Sequence, residues 1–191
     1  MVRSYWEAVD ISIKPDTKRI FAEALESLIE TKSFASITIK DIIARSGGSR
    51  ATFYRHFKDK YDLMNWVFKN QMNAFSWSEF NYSSLEDIYA KAIRIIYDKR
   101  RFFSNIVSYD KQNSFIEFLY DYGMRYFDKA LKRKLGTNTL PKDLEFSAAY
   151  FCHASSAIFI NWIKNGYPIS PEELLDLFTK NVPLKLSELL K

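Results

Sequence analysis

The chain has 191 residues and a single cysteine, so it is long enough to bury a hydrophobic core and cannot form an internal disulfide. Glycine and proline contribute only five residues each, against 16 Phe and 12 Tyr, which favours long helices with an aromatic interior over a strand-and-turn architecture. The net charge of +5 suits an anionic partner, and the absence of an initial basic-then-apolar segment makes a reducing cytoplasm the expected setting.

The beginning of the chain predicts an arm followed by two helices. Residues 1–14 show weak periodicity and predict a mobile arm. From Pro15 to Ile29, apolar residues recur at helical spacing with charged residues on the other side, which predicts the first helix. Thr38, followed three residues later by Asp41, predicts a capping box for a short second helix that ends at Gly47.

Two further helices complete the predicted N-terminal domain, residues 15–72. Ser49 is expected to cap a third helix, Arg50 to Phe57, whose inward side carries aromatic rings. Asp59, with Asp62 in the first turn, is expected to start a fourth helix that runs from Lys60 to Met72.

The polar segment from Ser76 to Ser84 predicts a joint, after which residues 73–191 form a second helical domain. Its helices are predicted at Leu85 to Lys99, Arg101 to Val107, Ser114 to Leu135, Lys142 to Lys164 and Pro171 to Val182. The stretch from Phe146 to Ile163 has the length of a minimal membrane span, but its Ser, His and Asn residues favour a helix covered by protein. The chain is therefore expected to be all-α, with no membrane partner.

Two short helices joined by a glycine turn and followed by a basic helix form the pattern of a helix-turn-helix. Phe53 and Phe57 would hold the third helix against the first two. That arrangement leaves four polar or basic residues facing outward: Arg50, Thr52, Arg55 and His56. Between Lys40 and Lys60 the sequence has six Lys or Arg and two Asp, so most of the excess positive charge lies in this motif.

The segment from Thr38 to Lys60 resembles the DNA-binding signature of the TetR family of transcriptional regulators. In order, it carries the capping Thr, the turn Gly, Ser and Thr, the paired aromatics Phe53-Tyr54, and the final Phe and Lys; the likeness extends over residues 15–68. It departs from the family pattern at Gly48, usually an apolar residue, and at Ala51, often Gly. We expect Gly48 to loosen the turn.

The resemblance implies a fold, a partner and contact residues. The fold is an N-terminal three-helix helix-turn-helix DNA-binding domain followed by a helical effector and dimerisation domain. Residues placed near base edges are Arg50, Ala51 and Arg55, and those placed on phosphates are Thr38, Thr52, Tyr54, His56 and Lys60. Arg can donate two hydrogen bonds to guanine, whereas hydroxyls, Lys and the helix N-terminus opened by Asp59 suit phosphate oxygens. Taken alone, a charged helical face is more often merely solvated, and Tyr54 could belong to the core.

The resemblance also implies a homodimer that binds a palindromic operator in double-stranded DNA and responds to a small-molecule effector. Repression is the family default, but some members activate transcription. Trp66-Val67-Phe68 and Tyr109-Asp110-Lys111 resemble, more weakly, the branch that regulates dihydroxyacetone-kinase operons.

The second domain carries an aromatic set that could line an effector pocket or simply fill the core: Phe102, Phe103, Phe115, Phe118, Tyr122 and Tyr126. Gly123, unusual inside a helix, could mark close packing or space left for a ligand. The apolar segments from Phe146 to Ile163 and from Leu174 to Val182 are expected to pair two copies in a four-helix bundle.

Two other classes of function stay open. An enzyme would need a nucleophile with a base, a metal cluster or a phosphate-binding glycine loop, and the sequence predicts no catalytic residue, metal site or cofactor. A non-enzymatic adaptor would use the C-terminal helices to recruit protein. Cys152 is expected to be a buried structural thiol, and His153 a hydrogen-bonded residue of the core or an interface.

Overall fold

The computed structural model describes residues 16–73, 84–109 and 114–190; the predicted arm, most of the predicted joint and Asp110-Lys111 lie outside them. The described residues form ten α-helices and no strand, which confirms the all-α fold. The first four helices are α1 (Thr17–Ile29), α2 (Ile39–Ser46), α3 (Arg50–His56) and α4 (Lys60–Asn73). The remaining six are α5 (Leu85–Asp98), α6 (Arg100–Tyr109), α7 (Ser114–Leu135), α8 (Lys142–Lys164), α9 (Pro171–Lys180) and α10 (Leu184–Leu189).

Local side-chain caps explain most of the helix starts. The Asp16 carboxylate accepts from the backbone N–H of Lys18 at α1, and Ser170 accepts from Glu173 at α9. Ser84 and Asp87 form a reciprocal capping box at α5. The predicted helices are confirmed within two residues at each end, and α7 and α8 match at both ends.

The last helix, α10, was missed by the sequence analysis. Pro183 stands at its N-cap, and Leu186 is fully buried against a cluster formed by α7 and α8. The signal was a proline followed by leucines at 184, 186, 189 and 190, a spacing that presents one apolar side of a short helix.

Helix α4 is shared by the two halves of the fold. Near its start, Leu63 belongs to the core of α1–α3, whereas the Phe68 ring packs edge-on against Phe103, Phe115 and Phe118. A single cluster of buried side chains therefore runs from Phe21 in α1 to residues of α9. Among the described helices, none combines the length and apolarity needed to cross a membrane.

A second connection joins the halves through the turn between α1 and α2. The Asn105 side chain in α6 accepts from the Phe34 N–H at 2.7 Å and donates to the carbonyls of Lys32 at 3.0 Å and Ile29 at 3.4 Å. The Lys99–Glu26 ion pair, at 2.5 Å, lies at the same junction. One amide of the C-terminal half thus holds both ends of a turn in the N-terminal half.

Candidate nucleic-acid interface

The start of α2 is fixed by the predicted capping box. Thr38 Oγ1 accepts from the Asp41 N–H at 3.2 Å, while the Asp41 carboxylate accepts from the Thr38 N–H at 2.8 Å and from its hydroxyl at 2.6 Å. Asp41 also pairs with Lys32 at 3.0 Å. These bonds, above all those from Thr38, lower the pKa of Asp41 well below its ordinary value. Both donors of Thr38 are used inside the protein.

The turn between α2 and α3 needs both of its glycines. Gly47 has φ 68°, in the left-handed region that other residues adopt at a cost. At Gly48, a Cβ would lie 2.7 Å from Cζ of Phe21, so the ring occupies the space that a side chain would take. The Gly48 N–H also donates to Ser46 Oγ at 3.2 Å. Helix α1 therefore closes against the turn through the Phe21 ring, and a loosening of the turn by Gly48 stays a prediction.

Helix α3 is anchored by aromatic rings on its inner side. Ser49 accepts from the Thr52 N–H at 3.0 Å and caps the helix. Phe53 and Phe57 are buried, and both rings meet Phe21 edge-on, with centroid distances of 5.3 and 6.4 Å. This packing determines which way the opposite side of α3 points.

The opposite side of α3 is exposed; we call Arg50, Ala51, Tyr54 and Arg55 the recognition face. The Arg50 guanidinium lies over the Tyr54 ring, 5.4 Å from its centroid. Tyr54 is 44% exposed while its ring contacts Phe53, so it touches the core without belonging to it. The orientation predicted for Arg50 and Arg55 is confirmed.

The structure uses Lys60 differently from the predicted phosphate contact. Its ammonium donates to the carbonyl oxygens of Phe34 at 2.7 Å, Ile37 at 2.8 Å and Ala35 at 3.2 Å. An ammonium has three donors, so these bonds use all of them. Burial lowers the pKa of Lys60 from its ordinary value. Lys60 therefore holds the turn between α1 and α2.

Two other predicted phosphate contacts are also altered. The Nε2 atom of His56 is shielded from solvent and has no hydrogen-bond partner among the described residues. At the start of α4, the Asp59 carboxylate accepts from the N–H groups of Tyr61 and Asp62, at 2.8 and 2.9 Å. The N-terminus of α4 is thus occupied by the protein's own carboxylate.

The sequence analysis assigned no contact to Lys58, which is exposed in the structure. Its side chain is exposed, between the end of α3 and the start of α4, and its backbone N–H donates to Asp62 at 3.0 Å. Lys40 is exposed near the start of α2. The basic run in the sequence contained both, but only the structure separates them from Lys60, whose charge is turned inward.

The predicted effector aromatics divide into two groups. Phe102, Phe103 and Phe115 are buried, and the Phe115 ring stacks on Phe103 at 5.3 Å and on Phe118 at 6.5 Å. These four rings pack on one another and are not among the residues that line the cavity described next, so a role in binding an effector stays a prediction. Tyr122 and Tyr126 do line it.

The cavity lies between α4, α5, α7 and α8 and measures about 50 Å³. Gly123 forms part of its wall, and a Cβ at that position would stand 2.9 Å from Sγ of Cys152. Burial raises the pKa of the Cys152 thiol to about 12, so the thiol stays protonated at neutral pH.

Helix α8 has an exposed apolar side over its whole length. Phe146 and Tyr150 are 73% and 64% exposed, and Ile158, further along the same helix, is 45% exposed. Leu177 of α9 is 46% exposed. His153 is exposed and stacks on Tyr120 with ring centroids 3.9 Å apart, rather than lying in the core.

Two family models match separate parts of the chain. A family model described as bacterial regulatory proteins of the tetR family matches residues 21–67, and one described as a transcriptional regulator C-terminal region matches residues 83–183. A curated relative is the HTH-type dhaKLM operon transcriptional activator DhaS of Lactococcus lactis subsp. lactis, 24% identical over 95 residues. That alignment spans 50% of this chain and 51% of the relative.

Solved structures share the fold. The dihydroxyacetone kinase operon activator DhaS superposes with a TM-score of 0.65 at 23% identity, over 92% of this chain and 98% of that one. The fatty acid degradation regulator FadR from Bacillus halodurans gives a TM-score of 0.57 at 14% identity, over 85% and 92%. The repressor AlkX from Dietzia sp. gives 0.54 at 16%, over 91% and 98%.

Proposed function

The chain belongs to the TetR family of bacterial regulatory proteins, a family of transcriptional regulators and not of enzymes, and on that premise we propose that it binds a palindromic operator in double-stranded DNA as a homodimer. Its cellular location would be the cytoplasm, where bacterial DNA lies. The N-terminal domain, residues 15–72, would bind the DNA, and residues 73–191 would bind the effector and the second copy.

The recognition face carries this proposal. Arg50 and Arg55 are exposed on the side of α3 that faces away from Phe53, so both guanidinium groups can reach the major groove. Ala51, small and exposed between them, leaves room for α3 to approach the base edges. We assign base contacts to these three residues.

Phosphate contacts are assigned to the residues that remain available around that face. Tyr54 offers a hydroxyl, Thr52 offers one that it shares with Ser49 Oγ at 2.8 Å, and Lys40 and Lys58 are exposed. Lys60 is left out because its donors are used by backbone carbonyls. Thr38 and His56 would reach phosphate only after local rearrangement, because both donors of Thr38 are bonded to Asp41 and the Nε2 atom of His56 is shielded from solvent.

The apolar side of α8 supports the homodimer. Exposed large apolar side chains are expensive in water, and the set formed by Phe146, Tyr150, Ile158 and Leu177 extends over α8 and α9. Pairing those two helices with their copies across a two-fold axis would bury them in a four-helix bundle. The same axis would supply the symmetry of a palindromic site.

The regulator could act in one of two ways, by repression or by activation of transcription. We propose repression, the family's default mode, with a small effector in the C-terminal domain that changes operator affinity. Activation is the second candidate, because the relative DhaS is named as an operon activator. A reporter promoter with the selected operator placed upstream of it, or overlapping it, distinguishes repression from activation, because reporter expression falls in the first case and rises in the second. A protein-recruiting adaptor of the same fold would bind no duplex specifically.

Selection of bound sequences from random duplex DNA tests the central claim. We expect a palindrome, salt-dependent binding and a dimer by sedimentation at micromolar concentration. Arg50→Ala and Arg55→Ala should each relax one position of the consensus, with about 1 to 3 kcal/mol lost at a guanine contact. Lys69→Ala, exposed on α4 away from the recognition face, is the matched control. A wild-type chain without any salt-dependent duplex binding would overturn the proposal.

A further inference from the structure

The cavity between α4, α5, α7 and α8 has a distinctive chemistry. Its wall consists of apolar and aromatic side chains, one glycine, one thiol and the hydroxyls of tyrosines and serines. None of the lining residues, all of them described, is Asp, Glu, Lys, Arg or His. A charged molecule would lose its hydration there without gaining an opposite charge.

Two of its hydroxyls are already satisfied inside the protein. Tyr89 Oη donates to Ser155 Oγ at 2.9 Å, and Ser155 Oγ donates to the Cys152 carbonyl at 3.2 Å. These bonds tie α5 to α8 and use the single O–H donor of each hydroxyl. Tyr89 and Ser155 therefore present no free donor to the cavity.

Two other hydroxyls on the wall are unused. Ser156 is 4% exposed and lines the cavity, and its hydroxyl makes no hydrogen bond with the described residues. Tyr122 Oη is buried and has no partner among the same residues. Burial raises the pKa of Tyr122 to about 12, so this phenol is a neutral donor at pH 7. Buried hydroxyls normally have partners, so an unpaired set beside a cavity points to a ligand.

The size of the cavity limits what can enter it. The space of about 50 Å³ is small, so it suits a molecule of only a few non-hydrogen atoms unless the walls move. At this wall Gly123 lets α7 approach α8 closely, because a Cβ there would stand 2.9 Å from Cys152 Sγ.

We propose that this cavity binds a small uncharged molecule that combines an apolar side with one or two oxygen atoms. The oxygens hydrogen-bond Ser156 and Tyr122, and the apolar side lies against Phe68, Met72 and Phe159. This inference rests on the proposed effector-responsive function and specifies the ligand class of its site.

Three probes of matched size test the proposal on the full chain: 2-propanol, its nearly isosteric apolar analogue 2-chloropropane, and acetate. Labelled methionine methyl groups report binding by NMR, because Met72 lines the cavity whereas Met64 is buried elsewhere in the core. We expect 2-propanol to shift the Met72 signal saturably and to bind about fivefold more tightly than 2-chloropropane, as one or two added hydrogen bonds imply. Acetate should cause no shift.

The double variant Ser156→Ala/Tyr122→Phe should abolish the preference for 2-propanol. Its matched control is Ser104→Ala/Tyr167→Phe, which removes a bonded hydroxyl pair, 3.3 Å apart, outside the cavity wall and should keep the preference. Three outcomes with the wild-type chain would each overturn the inference: equal binding of 2-propanol and 2-chloropropane, binding of acetate, or no Met72 shift with any probe. These tests do not depend on whether a variant folds. Duplex binding is measured separately on the same samples. A loss of duplex binding would count against the proposed function, whereas the probe results count only for or against the cavity ligand.

Discussion

The two halves of the molecule differ in how their interior space is filled, although both contain buried polar atoms without a partner among the described residues, such as His56 Nε2 and Tyr122 Oη. Around α2 and α3, the hydroxyls and carboxylates that cap the helices are bonded locally, and the Phe21, Phe53 and Phe57 rings interlock behind the recognition face. Between α5, α7 and α8, a cavity remains and the Ser156 and Tyr122 hydroxyls are unpaired among the described residues. The half proposed to bind DNA is filled by rings behind the recognition face, whereas the half proposed to sense a ligand keeps a cavity.

The largest effect should come from removing a ring of the N-terminal core. Phe53 is fully buried, so we expect Phe53→Ala to lower the free energy of unfolding by about 3 to 5 kcal/mol and to abolish duplex binding. Phe53→Leu, which keeps most of the volume, should cost clearly less. Urea titration measures both variants, and a loss below about 1 kcal/mol for the alanine variant would mean that this core is not tightly filled.

A pair of lysines separates structural from exposed charge in the same half. Lys60→Met should lower the free energy of unfolding by about 1 to 3 kcal/mol, because the carbonyls of Phe34, Ala35 and Ile37 lose their donor. Lys58→Met should leave stability unchanged and weaken binding to all duplexes, with a smaller salt slope. Stability and salt-dependent binding are measured on both. If Lys60→Met instead weakened duplex binding without a loss of stability, Lys60 would be the phosphate contact.

One substitution made in both halves compares the two interiors directly. Ala24 in α1 and Ala92 in α5 are 5% and 9% exposed, but only Ala92 faces the cavity. Overpacking should make Ala24→Val cost about 1 to 3 kcal/mol. Ala92→Val should change stability by less than about 0.5 kcal/mol, because the added methyl groups enter empty space. Thermal and urea unfolding measure both variants. If Ala24→Val and Ala92→Val lowered stability equally, the two interiors would not differ in packing.

The smallest effect concerns pH and the cap of α2. The pKa of Asp41 is lowered in the folded chain, so its contribution to stability is present above the unfolded value near 3.8 and is lost as the pH falls through the lower folded value. Wild type should therefore exceed Asp41→Asn in stability by a constant margin from pH 8 to 5, and the margin should shrink below about pH 4. A margin independent of pH down to the acid transition would show that the charge does not matter.

Local signals made most of the fold predictable. Caps, the glycine turn and apolar periodicity involve residues within four positions of one another, and they placed α1 to α9 and the orientation of α3. The exposure of Arg50 and Arg55 followed from the same spacing, because Phe53 and Phe57 define the reverse side of α3. Thr52 and His56, also predicted to face outward, are only partly exposed.

Contacts between distant segments were not predictable in this way. Lys60 binds carbonyls 23 to 26 residues away, and Asn105 binds groups 71 to 76 residues away, so no short pattern reveals either role. The aromatic surplus could not say which rings pack on each other: Phe115 stacks on Phe103, whereas Tyr122 lines the cavity. The cavity depends on the space that several helices leave, which only their mutual positions determine.

The bonds of Asn105 have a consequence for recombining such proteins. A chimera joined after α4 would appear to transplant a complete DNA-binding module, yet the amide that holds the turn between α1 and α2 belongs to α6. The transplanted module would carry an unpaired Phe34 N–H unless the recipient supplies a matching amide at the equivalent place on its own α6. The portable unit is therefore discontinuous along the chain: residues 16–73 together with Asn105 and its helix.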